Sequence, residues 1–272
     1  MKTTPLVSWP GGKSRLLKHI VPHIPTGSGT GYVEVFAGGC AVLLAKERSK
    51  LEVVNDINSD LITLYRVAKH HPDALVAELQ LMPGSRQYLT DCVSLLKTGA
   101  LTDLQRAALF IHANKTSFCA TGSSFAVARN PGSAPFANRN ALYDRIRMFA
   151  LRMSQVAIEH MDYRRLLSTY DHAGNLFFLD PPYLGADVSN YRGWTEIEMG
   201  HFHAAVTALA GRWIVTVDDS RFNRTLWKGH DIHFVTSRNG VGNQAKSPGR
   251  TFGEMIIYSS GLRSRSAVRK AA

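Results

Sequence analysis

No stretch of the chain reaches the ~18 consecutive apolar residues that a membrane-spanning helix needs, so no transmembrane segment is expected. The opening residues, Met1-Lys2-Thr3-Thr4-Pro5, hold no apolar signal core, which points to a cytoplasmic protein. Cysteine is scarce. Cys40, Cys92 and Cys119 lie far apart and form no Cys-x-x-Cys pair, which excludes a disulfide framework and a zinc ribbon and fits reduced thiols. Acidic residues are in deficit, 21 against 32 Lys and Arg, leaving a net charge of +11. Such an excess suits a polyanionic partner, nucleic acid first. No Gly-x-Gly-x-x-Gly follows a strand, so a dinucleotide is not indicated. Gly12-Lys13-Ser14 matches the end of a phosphate-binding loop, but Val7 stands where that loop needs glycine and no strand precedes it. His201 and His203 are two residues apart and cannot share a helix face, so no metal site is expected. No internal repeat occurs.

What remains is a folded α/β pattern organised around one stretch. The apolar run Leu176-Phe177-Phe178-Leu179 reads as a buried strand. It stops at Asp180-Pro181-Pro182-Tyr183, where two prolines forbid its continuation. A carboxylate, a rigid turn and an aromatic ring are thereby set at the carboxyl end of a strand, the edge at which open α/β sheets bind ligands. The group of residues suits an exocyclic amine on a nucleobase, whose lone pair is delocalised into the ring. Asp180 can accept one amine N–H and the Pro181 carbonyl the other, which favours a tetrahedral nitrogen and stabilises positive charge developing on it. Tyr183 offers a face on which a flipped base can stack.

The rest of the chain, taken in order, supplies a frame. Trp9-Pro10-Gly11-Gly12-Lys13 is a turn ahead of a helix expected over residues 14–20. Residues 32–36 read as a strand and Ala37-Gly38-Gly39 as a tight turn, with a helix over 40–48. That is the first unit of a nucleotide-binding α/β fold, its glycines letting the backbone approach a ligand. A second strand, 51–55, is closed by Asp56. A carboxylate ~20 residues past the glycine turn can grip ribose hydroxyls; it can equally cap the helix that Asn58 or Ser59 begins. From residue 60 onward helices dominate, over 74–81, 88–96, 104–113 and 141–153. Between 114 and 140 lies a polar, glycine-rich stretch punctuated by Arg129 and Arg139, which reads as a hairpin or loop pair. Residues 156–158 form a short strand, followed by Asp162-Tyr163. Residues 184–194 read as a flap carrying Tyr191 and Arg192. A helix over 195–210 starts at a cap-like Thr195 with Glu198 three residues on. Another buried strand, 213–217, ends in Asp218-Asp219-Ser220, and 232–235 with 254–258 read as a terminal antiparallel pair. A basic loop over 238–250 joins those two, and four basic residues without an acid follow residue 262.

Asp180-Pro181-Pro182-Tyr183 and Trp9-Pro10-Gly11-Gly12-Lys13 together resemble two motifs of the Dam-type (D12-class) N6-adenine DNA methyltransferases. The resemblance extends over nearly the whole chain. Phe36 and Gly38 match that family's Phe-x-Gly-x-Gly cofactor loop, with Cys40 in place of the last glycine and Gly39 one position early. Asp56-Ile57-Asn58 resembles its Asp-Ile-Asn, and Asp162-Tyr163 its acidic-aromatic pair. The resemblance implies a class I S-adenosylmethionine-dependent methyltransferase sheet, Rossmann-like, over residues 1–60 and 150–272, with a mostly helical target-recognition insertion over 61–149. The insertion carries ten Lys and Arg against five Asp and Glu.

The resemblance further implies methyl transfer to adenine N6 in DNA by base flipping, with Asp180, Pro181, Pro182 and Tyr183 catalytic. Trp9, Gly12, Lys13, Phe36, Gly38, Asp56, Ile57, Asp162, Tyr163 and Asp180 would hold S-adenosylmethionine, and no metal is required. Lys115, Arg129, Asn130, Arg139 and Tyr191 are the candidate contacts to double-stranded DNA. A monomer of bacterial or phage origin is expected. The Tyr-Asn/Arg-Tyr-Asn core of the family's recognition hairpin is absent, so no target sequence is carried over. Cytosine N4, an RNA adenine, or a catalytically silent nucleic-acid-binding protein are the alternatives.

Overall fold

A computed structural model describes residues 3–26, 29–117, 124–126, 139–184, 194–238 and 251–262. In chain order its elements are α1 (Leu17–Ile20), β1 (Gly31–Glu34), α2 (Ala41–Ala45), β2 (Leu51–Asn55), α3 (Ser59–His70), α4 (Pro72–Leu81), α5 (Arg86–Leu96), α6 (Asp103–Thr116), α7 (Arg139–Met153), β3 (Val156–Glu159), α8 (Tyr163–Tyr170), β4 (Asn175–Leu179), α9 (Glu196–Thr207), β5 (Arg212–Asp218), α10 (Arg221–Leu226), β6 (Asp231–Arg238) and β7 (Thr251–Tyr258). The chain divides into two units. One comprises Met1–Arg15, Gly38–Ala45 and Asn58–His160, the other Leu16–Ala37, Lys46–Ile57 and Met161–Ala272.

The second unit holds six strands in the order β2-β1-β4-β5-β7-β6. The first four are parallel: Gly31 of β1 faces Leu51 of β2 on one side and Asn175 of β4 on the other, and Leu179 of β4 faces Val215 of β5. β7 runs antiparallel between β5 and β6. β1 and β4 are buried at every position, as parallel strands covered on both faces must be. That is why β4 shows in the sequence as an unbroken apolar run. From β1 the chain order goes outward to β2 in one direction and through β4 to β5 in the other. β1 and β4 therefore flank a switch point, beyond whose carboxyl ends such sheets collect ligands. Phe177, Phe178, Phe202 and Trp227 are among the largest side chains fully buried here. Each contributes roughly 1.5–3 kcal/mol by leaving water.

The first unit is mostly helical, with β3 as its strand among the described residues. Leu61, Leu64, Tyr65 and Ala68 of α3 follow the i, i+3, i+4, i+7 spacing and are all fully buried. They pack toward α6 and α7, with the rings of Tyr65 and Phe149 5.3 Å apart. Ala107 and Ala108, also fully buried, let α6 come close. α6 opens with a capping box, Thr102 and Gln105 bonding reciprocally. Arg106 of α6 reaches Asp60 of α3 at 2.7 Å.

Two of the expected helices are interrupted or cut short. The helix expected over 14–20 is split into a 3-10 turn, Lys13–Arg15, and α1. The helix expected over 40–48 shrinks to α2. The first residue of the expected span, Cys40, has φ +56°, which no right-handed helix admits, and α2 starts after it. At its other end Lys46 turns its ammonium to the Glu47 carbonyl, the Ser49 hydroxyl and the Glu52 carboxylate.

Candidate active site

Within the second unit, Asp180 follows β4 directly. Its Oδ1 accepts a hydrogen bond from the Thr216 hydroxyl at 2.8 Å, and Thr216 on the adjacent β5 is fully buried. The carboxylate is thus held in one orientation at the sheet edge. Pro181 is buried, and Pro182 and Tyr183 are half-buried. The Tyr183 hydroxyl donates to Glu254 Oε2 at 3.4 Å. Burial first, then the carboxylates of Asp180, Glu254 and Asp218, push the Tyr183 phenol well above its ordinary range, so it stays a neutral ring. Thr216 and Glu254 read in the sequence as ordinary strand residues. Pairing of Asp218 with Glu254 across β5 and β7 is what brings Glu254 to this edge.

Three further segments of the same unit meet at Asn55, the last residue of β2. Its Nδ2 donates to the Val35 carbonyl at 3.0 Å and to the Met161 carbonyl at 3.1 Å, and its Oδ1 accepts from the Met161 N–H at 2.9 Å. Asn55 is 2% exposed. The staple gathers the residues next along each segment: Phe36 after β1, Asp56 after β2, and Asp162 with Tyr163 at the start of α8. Asp56 is buried, while Ile57 is 46% exposed. The cap of α3 is supplied by Asn58, whose side chain accepts from the Leu61 N–H, so the helix-cap role falls to Asn58 and not to Asp56. Asp162 caps α8 instead, accepting from the Arg164 N–H at 2.9 Å.

Phe36, Tyr163 and Trp194 form an aromatic triangle with ring centres 5.7–5.8 Å apart. The Tyr163 hydroxyl donates to Glu198 at 2.8 Å, and burial followed by this carboxylate raises its pKa. The indole N–H of Trp194 is buried and finds no acceptor among the described residues. An adenine has faces for such rings and ring nitrogens to accept that N–H, so the residues present fit the nucleoside end of S-adenosylmethionine.

Within the first unit, the Trp9 ring lies against Gly38. Gly38 has φ +44°, and a Cβ there would come within 2.6 Å of Trp9 Cδ1. Only glycine meets both demands. The Tyr65 hydroxyl of α3 donates to the Gly38 carbonyl. Two residues on, Cys40 keeps a left-handed backbone and is fully buried, so a cysteine occupies a conformation that favours glycine. The Gly12 N–H bonds to the Trp9 carbonyl at 3.0 Å, and Lys13, 4% exposed, donates to the Gly11 carbonyl at 2.8 Å.

Of the residues expected to meet DNA, Lys115 sits in the last turn of α6. Burial, then the charge of Arg145, lowers its pKa to about 8. Arg139, at the start of α7, reaches the Gln80 carbonyl at 3.5 Å. Arg129, Asn130 and Tyr191 lie outside the described residues. Among the described residues no group of three or more His, Cys, Asp and Glu side chains could hold a metal ion, and no helix is long and apolar enough to cross a membrane.

The chain is similar to a retron Ec67 DNA adenine methylase of Escherichia coli, 24% identical over 88% of this chain and 86% of that one. It is 24% identical to the DNA adenine methylase of Escherichia coli strain K12, over 96% and 97% of the two chains. It is 23% identical to the type II methyltransferase M1.LlaDCHI of Lactococcus lactis subsp. cremoris, over 94% and 95%. Residues 9–239 match the family model of the D12 class N6 adenine-specific DNA methyltransferases, more than four-fifths of the chain, and the protein belongs to that family.

Proposed function

We propose that the protein flips an adenine out of double-stranded DNA and holds its N6 amine with Asp180 and the Pro181 carbonyl while the base stacks on Tyr183. S-adenosylmethionine, the methyl donor of the family, supplies a sulfonium methyl for in-line attack. The carboxylate accepts one amine N–H and the proline carbonyl the other. The nitrogen lone pair is then localised and the charge it gains on alkylation is stabilised. Transfer is direct, so no cysteine nucleophile is needed, and catalysis is positioning and electrostatics. Asp56 grips the ribose. Phe36, Ile57 and Tyr163, with Asp162 at the rim, take the adenine of the cofactor, and Trp9, Gly12, Lys13 and Gly38 its methionine end. Residues 61–149 select the DNA site through Lys115, Arg129, Asn130 and Arg139, with Tyr191 on the catalytic side, and residues 1–60 and 150–272 perform the chemistry. The protein acts as a monomer in the cytoplasm.

The observation that carries this reading is the Asp180 carboxylate, fixed by Thr216 at the end of β4 beside Pro181 and Tyr183. Asp180→Ala should lose methyl transfer while retaining cofactor and DNA binding, because Asp180 acts mainly on the transition state. Turnover of a folded Asp180→Ala protein at the wild-type rate would remove the mechanism.

A further inference from the structure

Asn114 lies in the last turn of α6, at the start of the polar stretch expected to read DNA, yet its side chain is engaged elsewhere. The Ser8 N–H donates to Asn114 Oδ1 at 2.9 Å, and Asn114 Nδ2 donates back to the Ser8 carbonyl at 2.9 Å. Two antiparallel bonds between one carboxamide and one residue's main chain fix tilt as well as position, as a strand partner would. The residue so fixed runs directly into Trp9, whose ring packs on Gly38. The Trp9 carbonyl closes the turn that delivers buried Lys13. The Gly38 carbonyl accepts from the Tyr65 hydroxyl. Helices α3 and α6 of the insertion therefore each supply one polar group to the frame of the glycine loop and the entry turn.

We propose that Asn114 is a positioning residue for the cofactor's methionine end, acting through Ser8 and Trp9, and not a reader of DNA sequence. The inference rests on the assignment of Trp9, Lys13 and Gly38 to the cofactor. Its consequence is that the insertion is a structural part of the cofactor site, so that the insertion cannot be exchanged for another upstream of residue 115 without weakening cofactor binding.

The test is titration calorimetry of the full chain with S-adenosylmethionine, alongside relative kcat/KM on a pool of randomised duplexes. Asn114→Ala should raise the cofactor Kd about tenfold, the loss of two neutral hydrogen bonds, and leave the ranking of DNA sites unchanged. Ser8→Ala should leave the Kd unchanged, because Ser8 contributes its main chain alone. Should Asn114→Ala fail to fold, Asn114→Asp keeps the acceptor for the Ser8 N–H and loses the donor, and a raised Kd is again expected. An altered site ranking with an unchanged cofactor Kd would overturn the proposal and make Asn114 a reader of DNA. Trp9→Ala separates the two levels. If it weakens cofactor binding and the Asn114 variants do not, this inference alone fails. If it leaves binding intact, the cofactor assignment fails and carries the inference with it.

Discussion

Replacing Asn55 by alanine removes three hydrogen bonds that the sequence gives no reason to expect. The Val35 carbonyl and both polar groups of the Met161 main chain would lose partners at a site where the side chain is 2% exposed. At a net ~1 kcal/mol per bond, the folded state should lose about 3 kcal/mol. The effect on function should exceed a uniform loosening, because the bonds anchor the segments that carry Phe36, Asp56 and Tyr163. Urea unfolding followed by linear extrapolation gives the first quantity, and calorimetric titration with S-adenosylmethionine gives the second, expected to weaken at least about tenfold. Asn55→Asp should be no better than alanine. It keeps the acceptor for the Met161 N–H but sets an anionic oxygen against two carbonyls. Stability within about 0.5 kcal/mol of wild type would refute the count of bonds, since that is the scatter of ordinary surface substitutions. Normal cofactor affinity in a destabilised variant would refute the link between the staple and the pocket.

Thr216→Val, isosteric and without the hydroxyl, should lower kcat about tenfold or more with little change in cofactor Kd, while Thr216→Ser should recover most of it; single-turnover rates check this. Cys40→Val should destabilise by more than about 2 kcal/mol, because a β-branched residue at a positive φ is strained beyond the cysteine it replaces; thermal unfolding against wild type measures it. His112, fully buried on α6, has its pKa lowered by burial and then by Arg139 from the ordinary 6.5 to about 4. The unfolded chain takes up this proton first as pH falls. The contribution is therefore complete above pH 6.5 and disappears toward pH 4, about 3 kcal/mol in all. His112→Leu should flatten that acid limb of the stability curve.

How much of this could be read beforehand depended on the range of the interaction. β2 matches its expected span, 51–55, because Val53-Val54 is a β-branched pair in a short stretch closed by Asn55-Asp56; Leu51 is exposed and the other four residues are buried. The start of α3 at Asn58 or Ser59 is legible for a similar local reason, but the cap considered there is Asp56, whereas Asn58 supplies it. Asp180-Pro181-Pro182-Tyr183 was legible because proline stops a strand wherever it stands. Asn55, Asn114 and Thr216 were not, since each acts on a residue 36 to 106 positions away in the chain. A single polar side chain in a strand or helix carries no local mark of such a partner. Cys40 was visible as a departure from a glycine pattern, but its backbone conformation was not, because composition does not report φ. Glu198 looked like half of a capping box. Its carboxylate instead meets Tyr163 and Arg164, and Thr195 alone caps α9.

The decisive quantity is which base is methylated. Unmodified duplex DNA incubated with the protein and methyl-labelled S-adenosylmethionine, then digested to nucleosides, reveals which base gains the label. N6-methyladenine is expected, absent when Asp180→Ala is used and undiminished by excess competing RNA. Label on cytosine N4, or on RNA adenine with duplex DNA left unmodified, would contradict it.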